Sequence, residues 1–346
     1  MNDVLTVIEG PVGRIRLNRP GALHALTHAM CSQVLDALER WRGDGAVALV
    51  MIDHAEGRGF CAGGDIRMLA ASGAADGIAA RAFFHEEYRM NNRLFAYAKP
   101  TVAFMDGITM GGGVGLAMPC GVRVATENTR FAMPETGIGL FPDVGGGWYL
   151  ARLPGRMGQY LALTGARLGG AECLALGIAT HLLPAAGIDA AKRAIVDDAS
   201  ALVDILAAAS LPPAPAAIVE HGAAIDRLFA SDVLEDVLAT LEADTGAFAA
   251  TTLATLRTRS PQAMKVSLKL LRDGARMATF EDEMAREYAV AARVVQRHDF
   301  AEGVRAVIVD KDNAPRWNPA TAEGVSDHMI DQIFAPLDAA DEWTPQ

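Results

Sequence analysis

Two glycine-rich turns and two carboxylates are the residues of this sequence best suited to chemistry. The turns are Cys61-Ala62-Gly63-Gly64-Asp65 and Met110-Gly111-Gly112-Gly113, each after an apolar run that reads as a strand. With no side chain in the way, a peptide N–H approaches a ligand oxygen closely, and a helix start adds unpaired donors with partial positive charge. Two such turns side by side would make an oxyanion hole, which stabilises the negative charge that develops on an attacked acyl carbonyl. Taken singly, each is equally well explained by tight strand-to-helix packing.

The carboxylates are Glu135 and Asp143, in residues 131–147, a stretch that is otherwise uncharged, mostly apolar and too rich in Gly and Pro for a regular element. A carboxylate in such surroundings is costly unless paired or functional, and desolvation raises its pKa toward a useful acid/base range. Asp143 also stands where it would cap a helix beginning at Gly145, and that reading stays open beside the catalytic one.

The elements that must position these residues follow from periodicity. Residues 4–17 read as a hairpin about Glu9-Gly10-Pro11, and residues 28–41 as a helix entered at Thr27. Residues 47–53, 101–106 and 122–126 read as buried strands, with helices beginning near Asp65 and after Gly111. Strand, glycine turn and helix thus follow one another twice, which argues for a parallel, crossover-linked α/β core. A short strand is expected at residues 178–183, and long Ala-rich helices at 188–210 and 233–256. The Pro/Ala-rich connector at 211–217 predicts a division into residues 1–210, an α/β core, and 211–346, a helical region.

Composition and missing motifs exclude other classes. The chain has 346 residues, 51% hydrophobic and 21% charged, with a formal charge of -11. That is a soluble globular composition with an acidic balance, ill suited to nucleic acid or an anionic membrane. No G-x-S-x-G, H-E-x-x-H, Walker loop or intact G-x-G-x-x-G after a strand is present. Cys31, Cys61, Cys120 and Cys173 form no C-x-x-C pair and read as buried thiols, with no metal site. No basic segment precedes an apolar stretch at Met1, so the expected location is cytoplasmic.

Three segments taken together resemble the enoyl-CoA hydratase/isomerase, or crotonase, superfamily: Phe60-Cys61-Ala62-Gly63-Gly64-Asp65-Ile66-Arg67, the triplet Gly111 to Gly113, and Met133-Pro134-Glu135. Within it the sequence is most similar to the 3-hydroxyisobutyryl-CoA hydrolase family, through Glu86-Glu87-Tyr88, Glu135 to Gly147, Ser260-Pro261, and Phe300 to Ala306 leading to Asp310-Lys311-Asp312. The resemblance implies a spiral of ββα turns with a C-terminal helical region and hydrolysis of a short hydroxyacyl-CoA thioester in valine degradation. CoA is then part of the substrate, and no separate cofactor is implied. As to assembly, it leaves open a homo-oligomer built through the C-terminal helices or a tail folded on its own core.

Carried over residue by residue, the amides of Gly64 and Gly112 resemble the oxyanion-hole donors and Glu135 the catalytic carboxylate. Asp143 resembles a second active-site acid, and Glu87 a polar residue near the acyl group. Ala62, Asp65 and Ile66 resemble the stretch whose backbone meets the adenine of CoA, with Arg67 near enough to help with phosphate. Hydratases of the superfamily resemble a two-glutamate pattern whose first Glu falls where this chain has Gly115, which argues against hydration of a double bond. In the early CoA-contacting turn, Gly21 and His24 replace the usual basic residue and Asn, and His24 reads as structural. The competing readings are a hydratase or isomerase using Glu135 alone, a non-catalytic acyl-CoA-binding protein, and a Cys61 thiol nucleophile.

Overall fold

Among residues 2–345, which the computed structural model describes, the apolar runs form nine strands: β1 (Val4–Glu9), β2 (Val12–Leu17), β3 (Leu49–His54), β4 (Gly59–Cys61), β5 (Thr101–Met105), β6 (Ile108–Met110), β7 (Val122–Ala125), β8 (Arg130–Ala132) and β9 (His181–Leu182). They pair as a six-stranded sheet in the order β1-β2-β3-β5-β7-β9 and a three-stranded sheet in the order β4-β6-β8. Only the β1–β2 hairpin is antiparallel. Three successive passes of the chain, β3–β4, β5–β6 and β7–β8, each leave one strand in each sheet, and helical segments connect them. This is the spiral of ββα turns that the motifs imply.

The chain forms two compact units from interleaved segments. The first comprises Met1–Gly64, Arg89–Ala132 and Arg167–Glu220 and holds all the described strands. Its core joins Val12, Met51, Val102, Phe104 and Val124 of the large sheet to Ile188, Ile195 and Leu206 of the helices that follow β9. Each such side chain contributes about 1.5–3 kcal/mol through burial. Asp53, buried at the end of β3, pairs with Arg14 (2.6 Å) and Lys192 (2.7 Å). Burial alone would raise its pKa, but the two cations outweigh that and hold it below the ordinary value.

The second unit comprises Asp65–Tyr88, Met133–Ala166 and His221–Gln346 and is helical. The expected single boundary at 210 falls near the end of the first unit, yet the units do not divide there once. The chain leaves the strand-bearing unit after β4 and again after β8, and returns each time to add to a sheet. Both Ala-rich helices are also interrupted. Asp198 accepts the Ser200 N–H (3.0 Å) between Ile188–Asp197 and Leu202–Ala209, and Asp244 accepts the Gly246 N–H (2.7 Å) between Leu234–Ala243 and Ala247–Leu256. A short acid that bonds the backbone two residues on competes with the helix ladder and ends it.

Candidate active site

In the first unit the two glycine turns leave the same end of the small sheet, because β4 and β6 are parallel neighbours with Cys61 opposite Thr109. Gly63 and Gly111 have φ of +116° and +47°, left-handed values that a side chain disfavours. A Cβ on Gly63 would stand 3.7 Å from the Met110 carbonyl oxygen and 3.9 Å from the Gly112 nitrogen, so the turns touch. Gly113 approaches more closely still, since a Cβ there would run into the Cys61 carbonyl oxygen. Gly112 opens the helix Gly112–Ala117, and its N–H has no intrahelical partner by position. Gly64 lies next to Gly63, whose carbonyl accepts the Leu26 N–H (2.7 Å) and anchors that turn.

His24 is buried with φ +57°, its Nδ1 accepting the Arg19 N–H (2.9 Å) and its Nε2 facing the Glu56 carbonyl (2.8 Å). That pairing fixes the Nε2–H tautomer and leaves neither ring nitrogen for a phosphate. Cys61 is buried, and its thiol donates to the main-chain carbonyl of His24 (3.2 Å). The nucleophilic-thiol reading finds no support in that setting. Ala62 is half-buried at the turn.

The other expected residues belong to the second unit. Asp65 caps the helix Ile66–Gly73 by accepting the Met68 N–H (3.4 Å). Asp65 and Ile66 are half-buried, while Arg67 is exposed and donates to the Ile308 carbonyl (3.0 Å). Glu87 lies on the helix Ile78–Phe95, Glu135 opens a 3-10 turn, Glu135–Ile138, and Asp143 precedes the helix Gly146–Leu150. The three carboxyls are only 2%, 5% and 5% exposed, respectively.

Tyr88, beside Glu87, donates its hydroxyl to Asp143 Oδ2 (2.8 Å). Asp143 therefore does not cap the helix Gly146–Leu150 with its carboxyl; its main-chain carbonyl accepts the Gly146 N–H (2.8 Å). Burial pushes Asp143 up to about 6, and the Tyr88 hydroxyl limits that rise. Burial raises Glu135 and Glu87 well above the carboxylate range, and the nearby Asp143 charge adds to both. Glu135 Oε2 and Glu87 Oε1 meet no hydrogen-bond partner among the described residues. The cluster thus titrates as a unit, and its two unpaired oxygens are polar groups of the kind a ligand satisfies.

Tyr88 was legible only as part of a motif, and two further buried acids, Glu283 and Glu287, were not singled out at all. Their signal is their spacing: with Phe280, Met284, Val290 and Ala291 they fall on the buried stripe of the helix Phe280–Val294.

A two-sheet spiral with paired glycine turns and buried carboxyls defines an acyl-CoA enzyme of the crotonase type. The family model described as enoyl-CoA hydratase/isomerase matches residues 12–334, and the chain belongs to that family. It is 43% identical to the mitochondrial 3-hydroxyisobutyryl-CoA hydrolase of Danio rerio, over 98% of this chain and 91% of that protein. The Homo sapiens protein of the same name is 39% identical, with coverage of 98% and 90%. Among solved structures, one described as a carnitinyl-CoA dehydratase from Mycobacterium thermoresistibile superposes with a TM-score of 0.95 at 40% identity, covering 100% of this chain and 99% of that one. The resemblance read from the motifs is borne out. The expected cytoplasmic location is not: these curated relatives are named as mitochondrial proteins.

Proposed function

We propose that the protein hydrolyses a short hydroxyacyl-CoA thioester, 3-hydroxyisobutyryl-CoA, to 3-hydroxyisobutyrate and free CoA, a step of valine degradation. The observation that carries this reading is the buried pair Glu135 and Asp143, the latter held by Tyr88, in a chain that has Gly115 where a hydratase has its first Glu. Without that Glu, one of the two water-activating carboxylates for hydration is missing. Thioester cleavage needs one base or nucleophile and one orienting acid.

The reading assigns the Gly64 and Gly112 amides to the thioester oxygen, where each donor lowers the barrier by about 3 kcal/mol. Glu135 attacks the carbonyl carbon to give a mixed anhydride, or takes a proton from the attacking water. In the first route the carbon–sulfur bond breaks as the anhydride forms and CoA leaves as thiolate; water then cleaves the anhydride, freeing the acid and restoring Glu135. In the second, the water adduct collapses with the same bond breaking, and Glu135 passes the proton it took to the leaving sulfur. Asp143 orients the substrate hydroxyl or the water, and Glu87 lines the acyl end. Ala62, Asp65 and Ile66 are assigned to the adenine and Arg67 to phosphate, since local donors suffice to hold an anion on an acidic protein.

A panel of CoA esters tests this. Free thiol is expected from 3-hydroxyisobutyryl-CoA, with crotonyl-CoA left unchanged. Loss of enoyl absorbance without thiol release would mark a hydratase acting through Glu135 alone, and tight binding of both esters without turnover would mark a binding protein.

The Tyr88 hydroxyl supplies a second test. A hydrogen bond to a charged group contributes about 1.5–3 kcal/mol, and 1.36 kcal/mol corresponds to one pH unit. Tyr88→Phe removes the donor that favours ionised Asp143, so the acidic limb of kcat/KM is expected to move up by about one pH unit or more. A limb that stays in place would detach Asp143 from the rate.

A further inference from the structure

The two acids on the buried stripe of the helix Phe280–Val294 face the turn that follows Asp143. Glu287 accepts the Gly145 N–H at Oε2 (2.7 Å) and the Gly147 N–H at Oε1 (3.1 Å). Between Asp143 and this seat, Val144 has φ +54°, a left-handed conformation that costs a β-branched residue about 1–3 kcal/mol. Gly145 follows at φ +90°. Side chains are shut out here: a Cβ on Gly145 would lie 2.7 Å from the Phe280 and Tyr149 rings, and one on Gly147 would run into Glu283 Oε1. The strained turn persists because its surroundings hold it on every side.

Glu283 lies one helical turn before Glu287, against it. Neither oxygen of Glu283 meets an N–H donor among the described residues. Burial pushes Glu283 up to about 7, with Arg152 and Arg286 opposing and Asp273 adding to the rise. Burial and the neighbouring Glu283 push Glu287 well above its ordinary value, Asp143 adds to this, and the two glycine amides resist it.

We infer that Glu287 is a positioning residue: its carboxyl, seated on the Gly145 and Gly147 amides, fixes the strained turn that carries Asp143. The inference deepens the thioesterase reading and rests on the role given there to Asp143.

Glu287→Gln keeps the size of the side chain but sets an NH2 group against one of the two amide donors. The expected result is a kcat about tenfold to a hundredfold lower, as for a misplacement on the order of 1 Å, with KM within about threefold of wild type. Amide exchange at Gly145 and Gly147 should quicken. Glu283→Gln is the control: it leaves Glu287 and both of its amide donors in place, so its kcat should stay within about threefold of wild type. Wild-type kcat in Glu287→Gln, equal losses in both variants, or unchanged exchange at both glycines would overturn the inference. Should Glu287→Gln fail to fold, the wild-type protein decides: slow exchange of both amides supports the seat, and rapid exchange of either overturns it. Exchange needs no substrate, so a wild-type protein that releases no thiol would sink the thioesterase reading while the exchange results still judge the seat.

Discussion

Glu135→Gln is expected to lower thiol release by about a thousandfold or more while leaving CoA-ester binding near normal and raising the melting temperature at neutral pH. The loss follows from the assigned chemistry, because a glutamine amide neither attacks a carbonyl nor takes a proton from water, and a positioned base alone supplies about 10²–10⁴ in rate. The gain in stability follows from burial. Glu135 is raised well above its ordinary pKa, first by desolvation and then by the Asp143 charge. The folded protein therefore binds that proton more tightly than the unfolded chain does. This contribution to stability is fully present below the unfolded pKa and is lost as pH rises through the folded one. Glutamine does not titrate, so the variant's advantage should widen from weakly acidic to weakly alkaline buffer. Thermal melts across that range, with thiol-release and binding assays beside them, check both halves. Near-normal turnover would remove Glu135 from the mechanism, and a melting temperature below wild type at alkaline pH would show that its burial is compensated elsewhere.

The same physics explains which features were legible in the sequence. A carboxylate alone among apolar and glycine residues stands out, and Glu135 and Asp143 are buried with raised pKa values. The glycine turns were visible because left-handed φ and close approach leave glycine as the residue of choice, as Gly63, Gly111 and Gly113 show. The strands β3 and β5 were legible as apolar runs, and β7 as a short β-branched stretch around Arg123. The small sheet was not: β4, β6 and β8 have three residues each, too few for a period to register, and they read as parts of loops. Helix interruptions at Asp198 and Asp244 were hidden because alanine favours a helix on either side, while one local side-chain bond ends it. Glu287 was missed for a different reason. Its partners, the amides of Gly145 and Gly147, lie 142 and 140 residues away, and a contact of that range leaves no local pattern. Tyr88 is 55 residues from Asp143 and escaped a role for the same reason.

Gly113→Ala is the substitution that bears most directly on the paired amides. Gly113 sits in the first turn of the helix Gly112–Ala117 without a left-handed φ, so alanine suits its backbone and is the better helix former by about 1 kcal/mol. Its one fault is steric: the new methyl would run into the Cys61 carbonyl oxygen, with Cys61 Cβ 2.9 Å away and the carbonyl carbon at 3.0 Å. These atoms belong to β4 and the start of the Gly64 turn, so backbone must yield. Either the helix start that presents the Gly112 amide backs away from the turn that presents Gly64, or that turn moves off its strand. Overpacking of this kind costs about 1–3 kcal/mol of stability, and loss of alignment at one oxyanion donor costs about 100-fold in kcat. Gly121→Ala is the control, since a Cβ there meets nothing within 4 Å in the same unit. The expected outcome is a folded Gly113→Ala protein that melts below wild type and has lost about two orders of magnitude in kcat, beside a Gly121→Ala protein with wild-type rates. A Gly113→Ala enzyme with undiminished kcat would mean that the spacing of these two amides does not matter to the reaction, and the oxyanion assignment of Gly64 and Gly112 would fall with it.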